Sequence, residues 1–229
     1  MSLDTAAHRN ILLQILKDIY TDSTIGPILG FKGGTAAYLF YTLNRFSMDL
    51  DFDLLDIGKQ DYVFERVKKI LAAYGELKQL DKKHHTLFYL LSYEHKIAGA
   101  RNIKIEINLR DFGSKYEVRP PYLGISMKVM TPADMFAHKL VAMTERTTNR
   151  DVFDVHFFLK NNWPINEEII KLRTEMSLKD FLKKCVQDLE AREHDDMLGG
   201  MGELLDEKQK AWVKTNLRTD TIFLLKLRL

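Results

Sequence analysis

Residues 30–53 read GFKGGTAAYLFYTLNRFSMDLDFD, in which a glycine pair is followed by three aspartates at a spacing of two. The apolar run 28–31 predicts a short strand that ends at the pair Gly33-Gly34. The mostly apolar residues 35–44 predict a buried helix. A glycine turn between a strand and a helix leaves backbone N–H groups free at the helix N-terminus, where an anion such as phosphate can approach closely.

The second half of the same stretch alternates strictly between apolar and acidic residues. Residues 48–55 therefore predict a strand with one apolar face and with Asp49, Asp51 and Asp53 on the other face. Like charges on one strand face repel each other, so a chain that keeps them needs a counter-charge. The natural candidate is a metal ion.

A second alternating strand is predicted over residues 102–109, and its polar face carries Glu106. If the two strands are neighbours, Glu106 faces Asp49 and Asp51, with Cβ atoms roughly 4.5–5.5 Å apart. Three carboxylates at that range form the oxygen-rich site that Mg²⁺ prefers. Two ions about 3.5–4 Å apart can share such a site, one activating the attacking oxygen and one carrying nucleotide phosphates.

The rest of the chain divides into a mixed half over residues 1–130 and an all-helical half over residues 131–229. The first half adds a helix at 5–20, a helix at 60–73 and strands at 86–93 and 122–130. From Thr131-Pro132 onwards the periodicity is helical, with candidates at 132–146, 150–161, 165–175, 178–192 and 207–217. We therefore expect an α+β protein: a mixed sheet with flanking helices, followed by a C-terminal helical bundle.

Composition narrows the class of protein. The chain has 229 residues and a formal net charge of +2, with 34 basic and 32 acidic residues, so no global excess of charge indicates nucleic acid binding. Cys185 is the one cysteine, which excludes an intrachain disulfide and suggests a cytoplasmic protein. No apolar run reaches the roughly 18 residues of a membrane span, so we expect no membrane association.

Two strings resemble the polymerase-beta-like nucleotidyltransferase superfamily, and more closely its AbiEii/AbiGii-type toxins. The first is GGT at 33–35, followed by RFSMDLDF at 45–52. The second is FAHKLVAMTERTTNRDVFDVHFF at 136–158, and KIEIN at 104–108 adds the third carboxylate. In the second string, the residues that match the family's lysine, arginines and aspartates are Lys139, Arg146, Arg150, Asp151 and Asp154.

The resemblance implies nucleotidyl transfer from an NTP with Mg²⁺ or Mn²⁺, by a toxin with a cognate antitoxin and with tRNA as the acceptor in some relatives. It implies that Lys139 neutralises triphosphate charge and that Asp154 positions Lys139 or the acceptor, both from the helical domain. The implied metal ligands are Asp49, Asp51 and Glu106, which with Lys139 and Asp154 form the catalytic set. The implied nucleotide-binding residues are Gly33, Gly34, Thr35, Ser47 and Lys139.

Several alternatives stay open from the residues alone. The acceptor can be a small molecule or a protein hydroxyl, and the chain can be a non-catalytic nucleotide-binding module. A metal nuclease fits less well, because one common nuclease pattern needs Lys two residues after the strand glutamate, where this chain has Asn108. The C-terminal basic residues are either a solvated face or an RNA surface: Lys208, Lys210, Lys214, Arg218, Lys226 and Arg228.

Overall fold

The computed structural model describes residues 4–95, 99–122, 124–146, 148–192 and 197–229. The chain forms two compact units. The first consists of Met1–Thr42, Phe46–Asp111 and Tyr116–Met130, and the second of Leu43–Arg45, Phe112–Lys115 and Thr131–Leu229. Nothing in the sequence pattern indicated that the two short segments belong to the second unit.

The first unit is built on a seven-stranded mixed sheet. Its helices are α1 (Thr5–Thr21), α2 (Gly33–Phe40) and α3 (Gln60–Leu71). Its strands are β1 (Leu29–Lys32), β2 (Leu50–Leu54), β3 (Glu76–Lys83), β4 (Thr86–His95), β5 (Gly99–Asn108), β6 (Tyr116–Tyr122) and β7 (Ile125–Met130). The strand order is β3-β4-β5-β2-β1-β7-β6, in which the pairs β2–β5 and β1–β7 are parallel.

The core of the first unit lies on one face of this sheet. The alternating apolar residues of the central strands, such as Phe31, Phe52 and Ile105, are fully buried there, while α1 and α3 pack over the sheet. Burial of each such side chain contributes about 1.5–3 kcal/mol. Because the apolar residues fix which side of each strand faces the core, the acidic residues between them lie on the opposite face.

The second unit is a helical bundle. Its helices are α4 (Pro132–Arg146), α5 (Asn149–Lys160), α6 (Glu167–Thr174), α7 (Leu178–Ala191) and α8 (Glu207–Lys226). Four of these helices, α5 to α8, begin with a capping residue whose side chain accepts from backbone N–H groups. The capping residues are Thr148, Asn166, Ser177 and Asp206. In the described ranges, no helix combines the length and the apolar character that a membrane span requires.

The α+β class with a mixed sheet and a helical C-terminal part is confirmed, but some element boundaries are wrong. Gly33 and Gly34 are the first residues of α2, not a turn before it, and the helix ends at Phe40 instead of residue 44. It ends there because Tyr41 leaves the helical region and Thr42 has a φ of 59°. Asp49 lies one residue before β2. The predicted strands do not include β3 and β6.

Candidate active site

Parallel pairing of β2 with β5 brings two of the predicted carboxylates together. The register sets Asp51 opposite Glu106 and Leu50 opposite Ile105. Leu50 and Ile105 are fully buried in the core, so Asp51 and Glu106 project from the other face of the sheet. Residues opposite each other on paired strands are side-chain neighbours. The structure therefore places the second aspartate and the glutamate side by side.

Asp49 is linked to this pair through a lysine. Lys104 lies two residues before Glu106 on β5, on the same face of the strand. Its Nζ is 3.0 Å from Oε2 of Glu106 and 3.8 Å from Oδ2 of Asp49. The side chains of all three residues are a quarter to a third exposed. Asp49 and Glu106 therefore share one ammonium group at the surface of the sheet.

Buried polar groups fix the backbone that carries Asp49. The Thr35 hydroxyl donates to the Asp49 carbonyl and shares a 3.0 Å hydrogen bond with the Ser47 hydroxyl. His8 Nε2 lies 3.1 Å from the Met48 carbonyl, and burial lowers the pKa of His8. Thr35 and Ser47 are buried, so both hydroxyls bond within the protein and hold the approach to β2 in place.

The start of α2 packs directly against the acidic strand. Gly33 has a φ of +77°, a backbone conformation that residues other than glycine adopt only with strain. A Cβ on Gly33 would lie 2.3 Å from Oδ2 of Asp51. Gly33 is half-buried and Gly34 is buried. Glycine is therefore required at position 33 for two reasons. Its backbone conformation would strain any other residue, and the Asp51 carboxylate leaves no room for a Cβ.

The local charges disfavour ionisation of Asp51. Burial raises its pKa, and the neighbouring carboxylates of Asp49 and Glu106 raise it further, although Lys104 and Lys32 act in the opposite direction. For Lys104, burial alone would lower the pKa, but the three carboxylates outweigh this and hold the pKa above its ordinary value. Ionisation of Asp51 beside these two carboxylates therefore costs free energy.

Asp53 lies on the same face of β2 but has a different environment. It pairs with Lys32 at 2.5 Å, accepts from Asn108 Nδ2 at 2.6 Å and accepts from the Tyr116 hydroxyl. These donors satisfy the carboxylate inside the protein. Asp53 is therefore a structural residue that ties β1, β5 and β6 to β2.

The donor set of the cluster fits a hard divalent cation. Asp49, Asp51 and Glu106 offer carboxylate oxygens, which are the ligands that Mg²⁺ and Mn²⁺ prefer. Such a cation relieves the like-charge repulsion that raises the pKa of Asp51. In the part of the chain that the structure describes, no three His, Cys, Asp or Glu side chains are gathered closely enough to hold one metal ion. Lys104 supplies a positive charge to Asp49 and Glu106.

A second charged cluster lies in the helical unit. Lys139 Nζ on α4 is 2.7 Å from Oδ1 of Asp151 and 2.9 Å from Oδ2 of Asp154, both on α5. Asp154 is fully buried and forms a two-pronged pair with Arg45, at 2.6 Å to Nε and 2.7 Å to Nη2. Arg146 lies 3.5 Å from Asp151. The family string of α4 and α5 thus folds into one buried ion network.

The pKa shifts of Lys139, Asp151 and Asp154 all favour the charged forms of these groups. Burial alone would lower the pKa of Lys139, but Asp154 and Asp151 outweigh it and raise the pKa. Burial alone would raise the pKa of Asp151, but Lys139 and Arg146 lower it to about 2. The pKa of Asp154 is lowered against its burial by Arg45 and Lys139. Lys139 is therefore a fixed, permanently charged group.

The family model described as the nucleotidyl transferase AbiEii toxin of type IV toxin–antitoxin systems matches residues 14–217. The chain belongs to the AbiEii toxin nucleotidyltransferase family.

Solved structures have a fold similar to that of this chain. JHP933 from Helicobacter pylori is 26% identical, with a TM-score of 0.57 over 100% of this chain and 96% of that chain. MenT4, the nucleotidyltransferase toxin Rv2826c from Mycobacterium tuberculosis, is 20% identical, with a TM-score of 0.60 over 97% and 89%. At that identity the MenT4 likeness shows the fold alone. No curated protein gives a significant match.

In each of the two charged clusters of this AbiEii-family chain, the sequence pattern left one ion partner unassigned. Arg45 stands in the quoted string RFSMDLDF, but its role as the partner of Asp154 was not assigned. Lys104 was treated as an ordinary member of the polar face of its strand. For Lys104 the signal was present, since residues two apart on a strand share a face, whereas no local pattern pairs Arg45 with Asp154.

Two basic residues of α8 in this AbiEii-family chain, Arg218 and Lys226, contact the end of α7. Arg218 donates to the carbonyls of Leu189 and Glu190 at 2.7 Å each, at the end of α7. Lys226 pairs with the Glu190 side chain at 2.7 Å. These contacts favour the structural interpretation over an RNA surface for Arg218 and Lys226.

Proposed function

We propose that this AbiEii-family chain catalyses metal-dependent transfer of a nucleoside monophosphate from an NTP to an acceptor hydroxyl. The observation that carries the proposal is the register that sets Asp51 beside Glu106, with Gly33, the first residue of α2, packed on Asp51. Family membership supplies the reaction class, and the cluster supplies the chemistry for a divalent cation. These supports are independent, because the family model does not depend on the strand register.

The metal would be held by Asp49, Asp51 and Glu106. When bound, Mg²⁺ or Mn²⁺ supplies the positive charge that stabilises the transferring phosphoryl group and the attacking oxygen. The first amide groups of α2, from Gly33 and Gly34, have no partner within the helix and suit the nucleotide phosphates.

The hydroxyls of two predicted nucleotide-binding residues already have partners within the protein. Thr35 and Ser47 bond to each other, and Thr35 also bonds to the Asp49 carbonyl. We therefore propose that Thr35 and Ser47 hold the segment between α2 and β2 in place.

The reaction balances as a substitution at the α-phosphorus. The acceptor oxygen forms a new bond to this phosphorus, and the bond from it to the oxygen that bridges to the β-phosphorus breaks. Pyrophosphate leaves with the electron pair, and the hydroxyl proton is released. Catalysis of this kind depends on positioning and on compensation of negative charge more than on covalent steps by the protein.

The roles of Lys139 and Asp154 follow the resemblance. Lys139 would bind triphosphate charge, and Asp154 would position it. The ion network supports this, because Asp154 is held by Arg45 and in turn holds Lys139 at 2.9 Å. A lysine fixed in this way stays charged and keeps its direction.

For the acceptor we propose tRNA, and for the partner a cognate antitoxin, as the toxin family suggests. The acceptor is tested by incubating the purified chain with each α-³²P-labelled NTP, Mg²⁺ and total RNA, then separating RNA and protein on denaturing gels. We expect label in a tRNA-sized band. Asp51→Asn should abolish it, whereas Asp53→Asn, on the same strand face but held by Lys32, should keep it in the folded fraction.

Other outcomes redirect the proposal. Label in protein or in a small molecule moves the acceptor and leaves the reaction class intact. Shortened RNA without label indicates a nuclease. Metal-dependent NTP binding without any transfer indicates a non-catalytic nucleotide-binding module. Transfer that is unchanged in Asp51→Asn removes the carboxylate cluster from the mechanism.

A further inference from the structure

Lys104 is the basic side chain that lies among the three carboxylates. Its Nζ is 3.0 Å from Glu106 and 3.8 Å from Asp49, and the charge of Asp51 also acts on it. The Lys104 ammonium therefore lies next to Asp49 and Glu106, two of the three carboxylates that would hold a metal.

A comparison within the same sheet shows what is particular about this lysine. On β3, Lys78 pairs with Glu76, two residues away, at 2.5 Å between Nζ and Oε2. The spacing along the strand is the same, but these side chains are 48% and 69% exposed, against 32% and 33% for Lys104 and Glu106. An exposed pair of this kind has little effect on stability or binding.

We propose that Lys104 is a built-in competitor of the divalent cation. It neutralises Asp49 and Glu106 in the metal-free chain and must leave them when a cation binds. This inference rests on the proposed metal-dependent function and adds a residue that sets its metal requirement. The free chain then binds metal weakly.

A nucleotide offers the displaced lysine a new anionic partner. Phosphate oxygens that enter with the NTP can accept from the Lys104 ammonium once the cation has taken its carboxylates. Metal and nucleotide therefore bind cooperatively, and the coupling is reciprocal, so each raises the affinity for the other by the same factor.

The test measures Mn²⁺ binding directly, by the electron paramagnetic resonance signal of free Mn²⁺ and by titration calorimetry, without any activity assay. Lys104→Met removes the charge and keeps the length of the side chain, whereas Lys104→Arg keeps the charge. Removing the competitor should tighten Mn²⁺ binding by about threefold to tenfold. Lys104→Arg and the matched control Lys78→Met should bind like the unmodified chain. Circular dichroism melts verify that each variant is folded.

The coupling gives a second readout. A non-hydrolysable NTP analogue should raise Mn²⁺ affinity in the unmodified chain by a larger factor than in Lys104→Met. Equal or weaker Mn²⁺ binding by folded Lys104→Met, while Asp51→Asn abolishes binding, overturns the competitor role and keeps the metal site. Saturable binding that survives Asp51→Asn, or no binding by any variant, overturns the proposed metal site together with this inference.

Discussion

Replacing Gly33 by alanine should disrupt the stability and the chemistry of the sheet unit together. At a φ of +77°, an L side chain costs about 1–2 kcal/mol. The new Cβ would also lie 2.3 Å from Oδ2 of Asp51, which is 1.1 Å short of the 3.4 Å at which ordinary contact begins. Forcing a methyl group into such a site costs about a further 1–3 kcal/mol. We expect a total loss of about 2–5 kcal/mol.

The displaced carboxylate has a functional consequence as well. Asp51 has to move by roughly the missing 1.1 Å, and a misplacement of about 1 Å can lower a rate by about 100-fold. The assays are urea unfolding followed by circular dichroism, and nucleotide transfer from labelled NTP by the folded fraction.

Gly124 provides the matched control for this substitution. It has a φ of +78° in the same unit, and a Cβ added there would meet no atom within 4 Å. Gly124→Ala should therefore lose only the backbone cost of about 1–2 kcal/mol and keep its activity. Equal unfolding free energies for the two variants, with activity retained in Gly33→Ala, would show that the contact between position 33 and Asp51 affects neither stability nor transfer.

Three further substitutions test the charges. Asp51→Asn should raise the free energy of unfolding at pH 7, because the raised pKa of Asp51 means that its ionisation costs stability as pH rises; the gain should vanish in acid. Arg45→Met should lower the free energy of unfolding in urea by about 1–3 kcal/mol, because it removes two hydrogen bonds from the buried Asp154 and leaves only its bond to Lys139 among those that the structure describes. Asp151→Asn should remove the part of the stability that is lost as pH falls from 3.8 to about 2 in acid titrations.

Each of these expectations can fail in a definite way. A folded Asp51→Asn chain that is less stable than the original at pH 7 would mean that the carboxylate is net stabilising. A loss no larger than that of Lys184→Met, whose pair with Asp188 is exposed, would contradict the burial argument for Arg45. An unchanged acid transition in Asp151→Asn would remove that carboxylate from the acid dependence.

The central strands and the helices could be predicted because their signals are local. Strict alternation in β2 and β5 reflects one buried face, and the helices of the second unit carry capping residues and an apolar stripe. The positions of Asp51 and Glu106 on polar strand faces follow directly from this alternation. That the two strands are parallel neighbours does not, because pairing is decided by the whole sheet.

The two missed strands are the two edges of the sheet. β3 has no fully buried residue, so its sequence ELKQLDKK lacks an apolar alternation. β6 contains Pro120, which removes a hydrogen-bond donor and normally argues against a strand. Charges and proline are tolerated at an edge because one side of the strand needs no partner. Their edge positions explain both errors.

Ion partners were the least predictable part of the site. The spacing along β5 places Lys104 and Glu106 on one face of the strand. It does not indicate that the Lys104 ammonium also lies 3.8 Å from Oδ2 of Asp49. Arg45 is 109 residues from Asp154, and neither position carries a local pattern that identifies the other. Such pairs depend on tertiary packing, which a single sequence does not encode in any short window.

The two halves of the carboxylate cluster are 55 positions apart along the chain, from Asp51 to Glu106. During translation, the glycine pair and both aspartates leave the ribosome well before β5 does. A nascent chain therefore carries the recognisable motif for some time while it has no third acid. A product that is cut short anywhere in this interval would contain the glycine pair and both aspartates but lack the strand that pairs in parallel with β2.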